Sequence, residues 1–394
     1  MILKILRHTF LNPLKEFIHD SKAIGIVLCV CTLISLFLAN VSFGNEYILF
    51  WSKSIDGTVN HSATVGFLHL PNTIQVWIND ALMALFFLLA GLEIKRELVE
   101  GELNTAKKAA MPLFAAIGGM LIPALLFVAF NANTSYTAGW AIPTATDIAF
   151  TIGIMNLLGN KVPMQLKVFV TALAIIDDLG AIIVIALFYG TTIQWMYLGL
   201  VVVAIFLILI ANKFVKFGIV QYALGIIIWY AMFNSGLHAT IAGVIFAALV
   251  PNKCLTRLQL KLHVPVYFIV MPVFALANTV LQLNANSIQL TNSLSLGIII
   301  GLIAGKAIGI TVFSYAMQYF KFASLPSGVN FTKFFAAAIL CGIGFTMSIF
   351  ISTLAFKDIE IQNQAKIAVL FASLLAGVIG FIVMSFGIKN SNLK

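Results

Sequence analysis

The sequence predicts an all-α polytopic membrane protein, and three observations carry that prediction. Of its 394 residues 61% are hydrophobic and only 9% are charged, far from the usual globular composition. The apolar residues gather into about twelve runs of the length that a bilayer-crossing helix needs, roughly 17 to 25 residues. Lys and Arg crowd into alternate connections between those runs, the bias that orients membrane helices.

Taken in order, the runs lie at residues 24–39, 77–98, 110–130, 139–158, 166–188, 193–211, 218–232, 235–250, 264–281, 296–317, 334–356 and 367–388. The first follows a basic N-terminal stretch that also holds Pro13, Glu16 and Asp20, and no small-residue cleavage pattern comes after it, so it reads as a retained helix. One set of connections carries Lys95, Arg96, Lys107 and Lys108, then Lys161 and Lys167, Lys213 and Lys216, Lys253, Arg257 and Lys261, and Lys321 and Lys333. The opposite set carries only Lys53, Lys357 and Lys366. This asymmetry predicts an even number of spans with both termini in the cytoplasm. It also explains the net charge of +9 as topology, and no nucleic-acid partner is expected.

The longest non-cytoplasmic connection, residues 40–76, contains two β-favouring pieces, Tyr47-Ile-Leu-Phe-Trp51 and Gly66-Phe-Leu-His-Leu70, on either side of Asp56-Gly57. A small hairpin is expected there. Cys29, Cys31, Cys254 and Cys341 lie in or beside apolar segments without metal-site spacing or a disulfide framework, and read as small hydrophobes.

Two runs are interrupted. In the fourth, Pro143 removes a backbone donor ahead of Thr144, Thr146 and Asp147. In the eleventh, Gly342 and Gly344 weaken the helix beside Thr346 and Ser348. Non-helical backbone at this depth is tolerated only when buried in protein or lining a polar cavity. The two breaks fall at the centres of two triplets, spans 3–5 (residues 110–188) and 10–12 (residues 296–388), within one membrane domain covering 1–394. Interrupted segments in corresponding halves point to a transport site built from inverted-topology repeats and crossing helices.

Both triplets carry intramembrane charge. Asp177 and Asp178 stand in the middle of the fifth span, and each carboxylate at mid-bilayer depth costs at least about 2.5 to 3.5 kcal/mol on insertion scales. Lys306, about ten residues from either end of its span, is too deep to snorkel. Such a set suggests a cation and proton site.

At this point the chain resembles the bacterial NhaA-type sodium/proton antiporters. The resemblance covers almost the whole chain and rests on Trp77-Ile-Asn-Asp-Ala-Leu-Met-Ala-Leu-Phe-Phe-Leu-Leu-Ala-Gly-Leu-Glu-Ile-Lys-Arg-Glu-Leu98, Trp140-Ala-Ile-Pro-Thr-Ala-Thr-Asp-Ile-Ala-Phe150, Ala172-Leu-Ala-Ile-Ile-Asp-Asp-Leu-Gly-Ala181, Ser235-Gly-Leu-His-Ala-Thr240 and Ile339-Leu-Cys-Gly-Ile-Gly-Phe-Thr-Met-Ser-Ile-Phe350. It implies that Asp178 and Asp177 form the core of the ion site, with Asp147 and Thr146 at the crossing of the broken helices and Lys306 nearby. It further implies electrogenic, pH-regulated export of sodium or lithium against inward protons, a homodimer, and a multi-pass location in the bacterial inner membrane. No cofactor is expected beyond the transported Na+ or Li+ and H+, and the protein is not expected to be an enzyme.

Residue chemistry supports these roles separately. Sodium is a hard cation that takes oxygen ligands, which Asp178, Asp147, Thr146 and the carbonyls freed near Pro143 and Gly342 can supply. Neighbouring residues on a helix point about 100° apart, so Asp178 is assigned to the ion and Asp177 to Lys306. The sequence leaves open whether Lys306 carries a proton or only pairs with an aspartate, whether Asp147 is a helix cap, and whether the Thr146 hydroxyl bonds its own backbone. Glu93, Lys95, Arg96 and Glu97 read on charge alone as a solvated helix end. The family places pH regulation here, making Glu93, Arg96 and Glu97 candidates, with His238 a further one because histidine titrates near neutrality. Gln259 stands where the family pattern carries a glutamate, a departure that bears on the pH set-point. Asp80 reads equally as a helix-start anion and as part of an outer pathway.

Three other classes compete. A sodium-coupled symporter of organic solutes shares the architecture but would want an aromatic-lined pocket, a channel would want a repeating filter, and an intramembrane aspartyl protease would leave Lys306 without a role.

Overall fold

The computed structural model describes residues 21–389 except 59–60, 67, 102, 191 and 284–287. The expectation for both termini therefore falls on residues outside the described ones. Among the described residues, seven helices are long and apolar enough to cross a membrane. They are α3 (Ile74–Val99), α4 (Ala106–Asn131), α6 (Met164–Phe188), α7 (Trp195–Phe214), α10 (Asn252–Asn278), α11 (Ser293–Tyr319) and α14 (Ile359–Lys389). Two bent pairs add to these: α1 (Ser21–Ala39) with α2 (Gly44–Ser52), and α12 (Phe331–Leu340) with α13 (Phe345–Ala355). The shorter helices are α5 (Ile148–Leu157), α8 (Ile219–Asn234) and α9 (Ile241–Leu249). The molecule is a predominantly α-helical, multi-pass membrane protein.

The two expected interruptions take different forms. Thr137–Thr144 is a tight 3-10 turn ending in extended backbone at Ala145, and α5 starts afresh after Asp147, whose side chain caps it by accepting from the Phe150 amide. The other break, residues 341–344, bends α13 by 43° from α12.

Residues 40–76 depart from the expected layout. Tyr47-Ile-Leu-Phe-Trp51 lies within helix α2, and the β-favouring reading of that piece is corrected. Its inward side follows helical spacing, with Gly44, Tyr47, Ile48 and Trp51 less exposed than their neighbours, and Tyr47 Oη donates to Ser35 Oγ at 3.2 Å. The strands are β1 (Ser62–Val65) and β2 (Leu68–Pro71), antiparallel, with Val65 opposite Leu68. Asp56 and Gly57 lie outside this hairpin, in a turn where Asp56 Oδ1 accepts from the Thr58 amide.

Small residues set the closest packing. Gly297, Gly301, Gly305 and Gly309 recur every fourth position along α11, so they share one face. A Cβ at Gly305 would strike Pro123 of α4, and one at Gly309 would strike the Gly118 carbonyl of the same helix. Where lipid offers no hydrophobic drive between helices, such close approach is how they associate. It presses α11 onto α4 and carries Lys306, next to that stripe, wholly inside the protein.

The buried apolar residues form two clusters. The larger joins residues of α1, α4, α6, α10 to α14 and both breaks. The smaller gathers α7, α8 and α9 with the start of α10. Helix α3 serves both, giving Phe86, Phe87 and Leu89 to the first and Leu88 and Leu92 to the second. Many apolar side chains of α7, including Val202, Val203 and Phe206, face outward, as suits contact with lipid tails.

Candidate ion-binding site

The two broken segments cross and stitch each other together through the groups their interruptions set free. The Asp147 amide donates to the Ile343 carbonyl at 2.6 Å, Thr146 Oγ1 to the Cys341 carbonyl at 2.8 Å, Thr151 Oγ1 to Leu340 at 3.1 Å and Ser348 Oγ to Ile142 at 2.7 Å. Asp147 Oδ2 accepts from both the hydroxyl and the amide of Thr346. Orphaned backbone at this depth would cost several kcal/mol per group. The crossing offsets that cost by pairing one break with the other.

Helix α6 runs past the crossing and brings both aspartates to it, each wholly buried or nearly so. The 100° step between neighbours separates their surroundings. Asp177 Oδ2 accepts from Lys306 Nζ at 2.5 Å, with both side chains fully shielded from solvent, and its Oδ1 has no hydrogen-bond partner among the described residues. Asp178 instead lines a small cavity together with Asp147, Thr146 and Thr346 from the crossing, Glu93 from α3 and Tyr267 from α10.

The charges in this cavity do not balance. Three carboxylates, Asp178, Asp147 and Glu93, line it, while no Lys, Arg or His does so among the described residues. Lys306 is committed to Asp177. Asp147 accepts three hydrogen bonds at the crossing, whereas Asp178 makes no hydrogen bond among the described residues. Among the described residues no three His, Cys, Asp or Glu side chains converge as a resident metal centre. The oxygens of Asp178 are thus free to meet a mobile cation or a proton.

The remaining candidates lie in two other places. Arg96 donates to Gln259 Oε1 at 3.1 Å and to Glu97 Oε1 at 2.9 Å, forming a cluster about one helical turn from Glu93. Lys95 donates to the carbonyls of Ala248 and Val250 at the end of α9. His238 is not among the cavity's lining residues; its Nε2 lies 2.7 Å from the Tyr189 carbonyl. Asp80 is buried on α3 towards its Ile74 end, with its carbonyl accepting from Trp229 Nε1.

Tyr267 as a lining residue and Thr346 as the partner of Asp147 were not expected from the sequence. Thr346 had a signal, since it follows the Gly342/Gly344 break. Tyr267 had a weaker one: Gln259, His263, Tyr267 and Met271 recur every fourth position, one face of a helix.

A family model described as Na+/H+ antiporter 1 matches residues 15–384. The Na(+)/H(+) antiporter NhaA of Flavobacterium psychrophilum is 44% identical, covering 96% of this chain and 97% of its own. NhaA 1 of Flavobacterium johnsoniae is 46% identical over 94% of this chain and 96% of its own, and NhaA of Citrobacter koseri 44% identical over 94% and 97%. Buried, unbalanced carboxylates at a crossing of broken helices and a match of this length agree: the chain belongs to the Na+/H+ antiporter 1 family.

Proposed function

We propose that this protein exchanges sodium, or lithium, for protons across a membrane, and that Asp178 is the carboxylate at which the two compete. The supporting observation is the cavity in which Asp178, Asp147 and Glu93 meet with no basic side chain among the described lining residues, in a chain of the sodium/proton antiporter family. A bare carboxylate is costly at such depth. It is therefore held with either a proton or a cation, and each displaces the other.

The order of events follows from that competition. Sodium arriving from the Glu93 side displaces protons from Asp178, and the crossing carries the loaded carboxylate to the other face. Protons there displace the sodium, so the proton gradient drives export without another energy source. Asp178, Asp147 and the Thr146 hydroxyl oxygen are the sodium ligands in this reading. Asp177 and Lys306 supply the second proton carrier, which makes the exchange electrogenic. Glu93, Arg96 and Glu97 tune its pH response, with His238 a more distant contributor. Twelve spans, two inverted repeats over residues 110–188 and 296–388, cytoplasmic termini, a homodimer and the bacterial inner membrane complete the reading, supported by the paired interruptions and the charge of the connections.

The test uses everted membrane vesicles holding a proton gradient. Addition of sodium or lithium, but not potassium, should dissipate the gradient with the wild type, and Asp178→Asn should reduce the response to that of vesicles lacking the protein. A folded wild type giving no sodium response at any pH from mildly acidic to alkaline would overturn the assignment.

A further inference from the structure

Among the oxygens around the cavity, most are already engaged. Asp147 accepts from Phe150 and Thr346, Thr146 donates to Cys341, and Glu93 leans on Gln259 and Arg96. The exceptions are Asp178 and the phenol of Tyr267, whose hydroxyl has no hydrogen-bond partner among the described residues. Tyr267 lines the same cavity and faces Glu93, Asp178 and Asp147.

Its position is built rather than incidental. Tyr267 sits in Val266–Val270, where α10 widens to a π turn. Such turns re-aim side chains and recur at functional sites. Its ring packs on His263, one turn nearer the start of α10, with centroids 4.8 Å apart. The ring is thereby held by its neighbour while the hydroxyl is left without a structural task. Tyr267 is only partly buried, so its hydroxyl is accessible from the cavity beside the uncompensated carboxylates, where a cation can reach it.

We propose that the Tyr267 hydroxyl oxygen is a ligand of the transported cation, a neutral one contributed to the Asp178 cavity from α10. This inference rests on the antiport reading of that cavity. Sodium and lithium need several oxygens, and Asp178, Asp147 and the Thr146 hydroxyl supply only part of such a shell. A phenol adds coordination without charge. It also ties the cation to α10 as well as to α6, so that cation affinity depends on how those two helices sit together.

The experiment compares wild type, Tyr267→Phe and Asp178→Asn in proteoliposomes, reading the apparent KM and maximal rate for sodium and lithium. Tyr267→Phe deletes one oxygen and keeps the ring on His263. Its KM for sodium should rise about tenfold with the maximal rate held within about twofold, the effect expected for losing roughly one charge-assisted contact. As a measurement independent of turnover, stabilisation of the purified protein against heat by sodium should need about tenfold more salt in the variant. An unchanged KM and unchanged sodium stabilisation would overturn the proposal, as would a loss of maximal rate at constant KM, which indicates a packing role. A silent wild type would instead bring down the antiport reading itself, and so is distinguishable from failure of the Tyr267 assignment.

Discussion

Lys306 and Asp177 are both fully enclosed, and each has the other as its charged partner. Burying a pair this way brings little net stability, because desolvation cancels much of the Coulomb attraction, but removing one member leaves a bare charge in an apolar interior. Lys306→Gln alone should therefore destabilise the protein by about 3 to 5 kcal/mol, and adding Asp177→Asn should restore most of that loss. Unfolding in detergent, followed by temperature or denaturant, measures both. A single variant as stable as the wild type would refute the pairing as a structural element. The pair was legible in the sequence because a lysine and two aspartates in apolar spans have few ways to be tolerated. That the two aspartates meet different surroundings was legible too, from the angular step between helix neighbours. Tyr267 was not, since an aromatic side chain in an apolar helix is ordinary and only the three-dimensional meeting of α10 with α6 and α3 reveals a free hydroxyl among carboxylates.

At the scale of elements, Pro143 and the Gly342/Gly344 pair announced where the helices break, but not that the break at Gly342 leaves Thr346 to donate to Asp147. The connection 40–76 was legible only in part. Tyr47 to Trp51 has the composition of a strand, yet its inward residues follow helical spacing, because the segment lies against Ser35 and the Leu276 carbonyl instead of pairing with the hairpin. The hairpin is fastened elsewhere. The His69 amide donates to Tyr230 Oη and the His69 carbonyl accepts from Asn234. Just before β1, His61 stacks on Phe233 and places Nε2 3.1 Å from Asp80 Oδ2. The Asp80 carboxylate holds His61 above its ordinary pKa of 6.5, against the opposing effect of burial, with His238 the other titratable group near this pair. A histidine raised in the folded state contributes its full stabilisation below its unfolded pKa and loses it as pH rises through the folded value. Amide exchange of Ser62–Val65 and Leu68–Pro71, corrected for intrinsic rates, should accelerate about two- to fivefold as pH rises from below 6.5 through that raised value, the size of an exposed ion pair. His61→Phe keeps the stack and should abolish the pH dependence. Protection that stays flat with pH in the wild type would show that the contact does not anchor the hairpin.

At the scale of the whole molecule, α3 is the spine shared by both apolar clusters, and the cavity runs along it from Phe86 to Glu93. Its two ends differ. Beside its Phe86 end, Phe87 and Phe274 both pack on Phe350, with ring centroids 5.6 and 6.2 Å apart, and all three are buried. Beyond those rings, Asn79 and Asn278 exchange amide hydrogen bonds between α3 and α10. Towards Val99 the cavity ends at Glu93, next to the Arg96, Glu97 and Gln259 cluster. A helix rises 1.5 Å per residue, so Ala90 lies roughly 9 Å from Arg96 but roughly 24 Å from Ile74 along the axis. We predict that access to the site in this conformation is one-sided. With Cys29, Cys31, Cys254 and Cys341 replaced, Ala90→Cys should react with a membrane-impermeant cationic thiol reagent from the face that carries Arg96, Lys107 and Lys108, and at least about tenfold more slowly from the hairpin face. Sodium should slow the reaction on the accessible face by occupying Asp178. Equal labelling from both faces would mean that the Phe87, Phe274 and Phe350 rings do not seal the seam. Exchange by alternating access requires that seal, because a cavity open to both sides at once would let sodium run down its own gradient instead of trading it for protons.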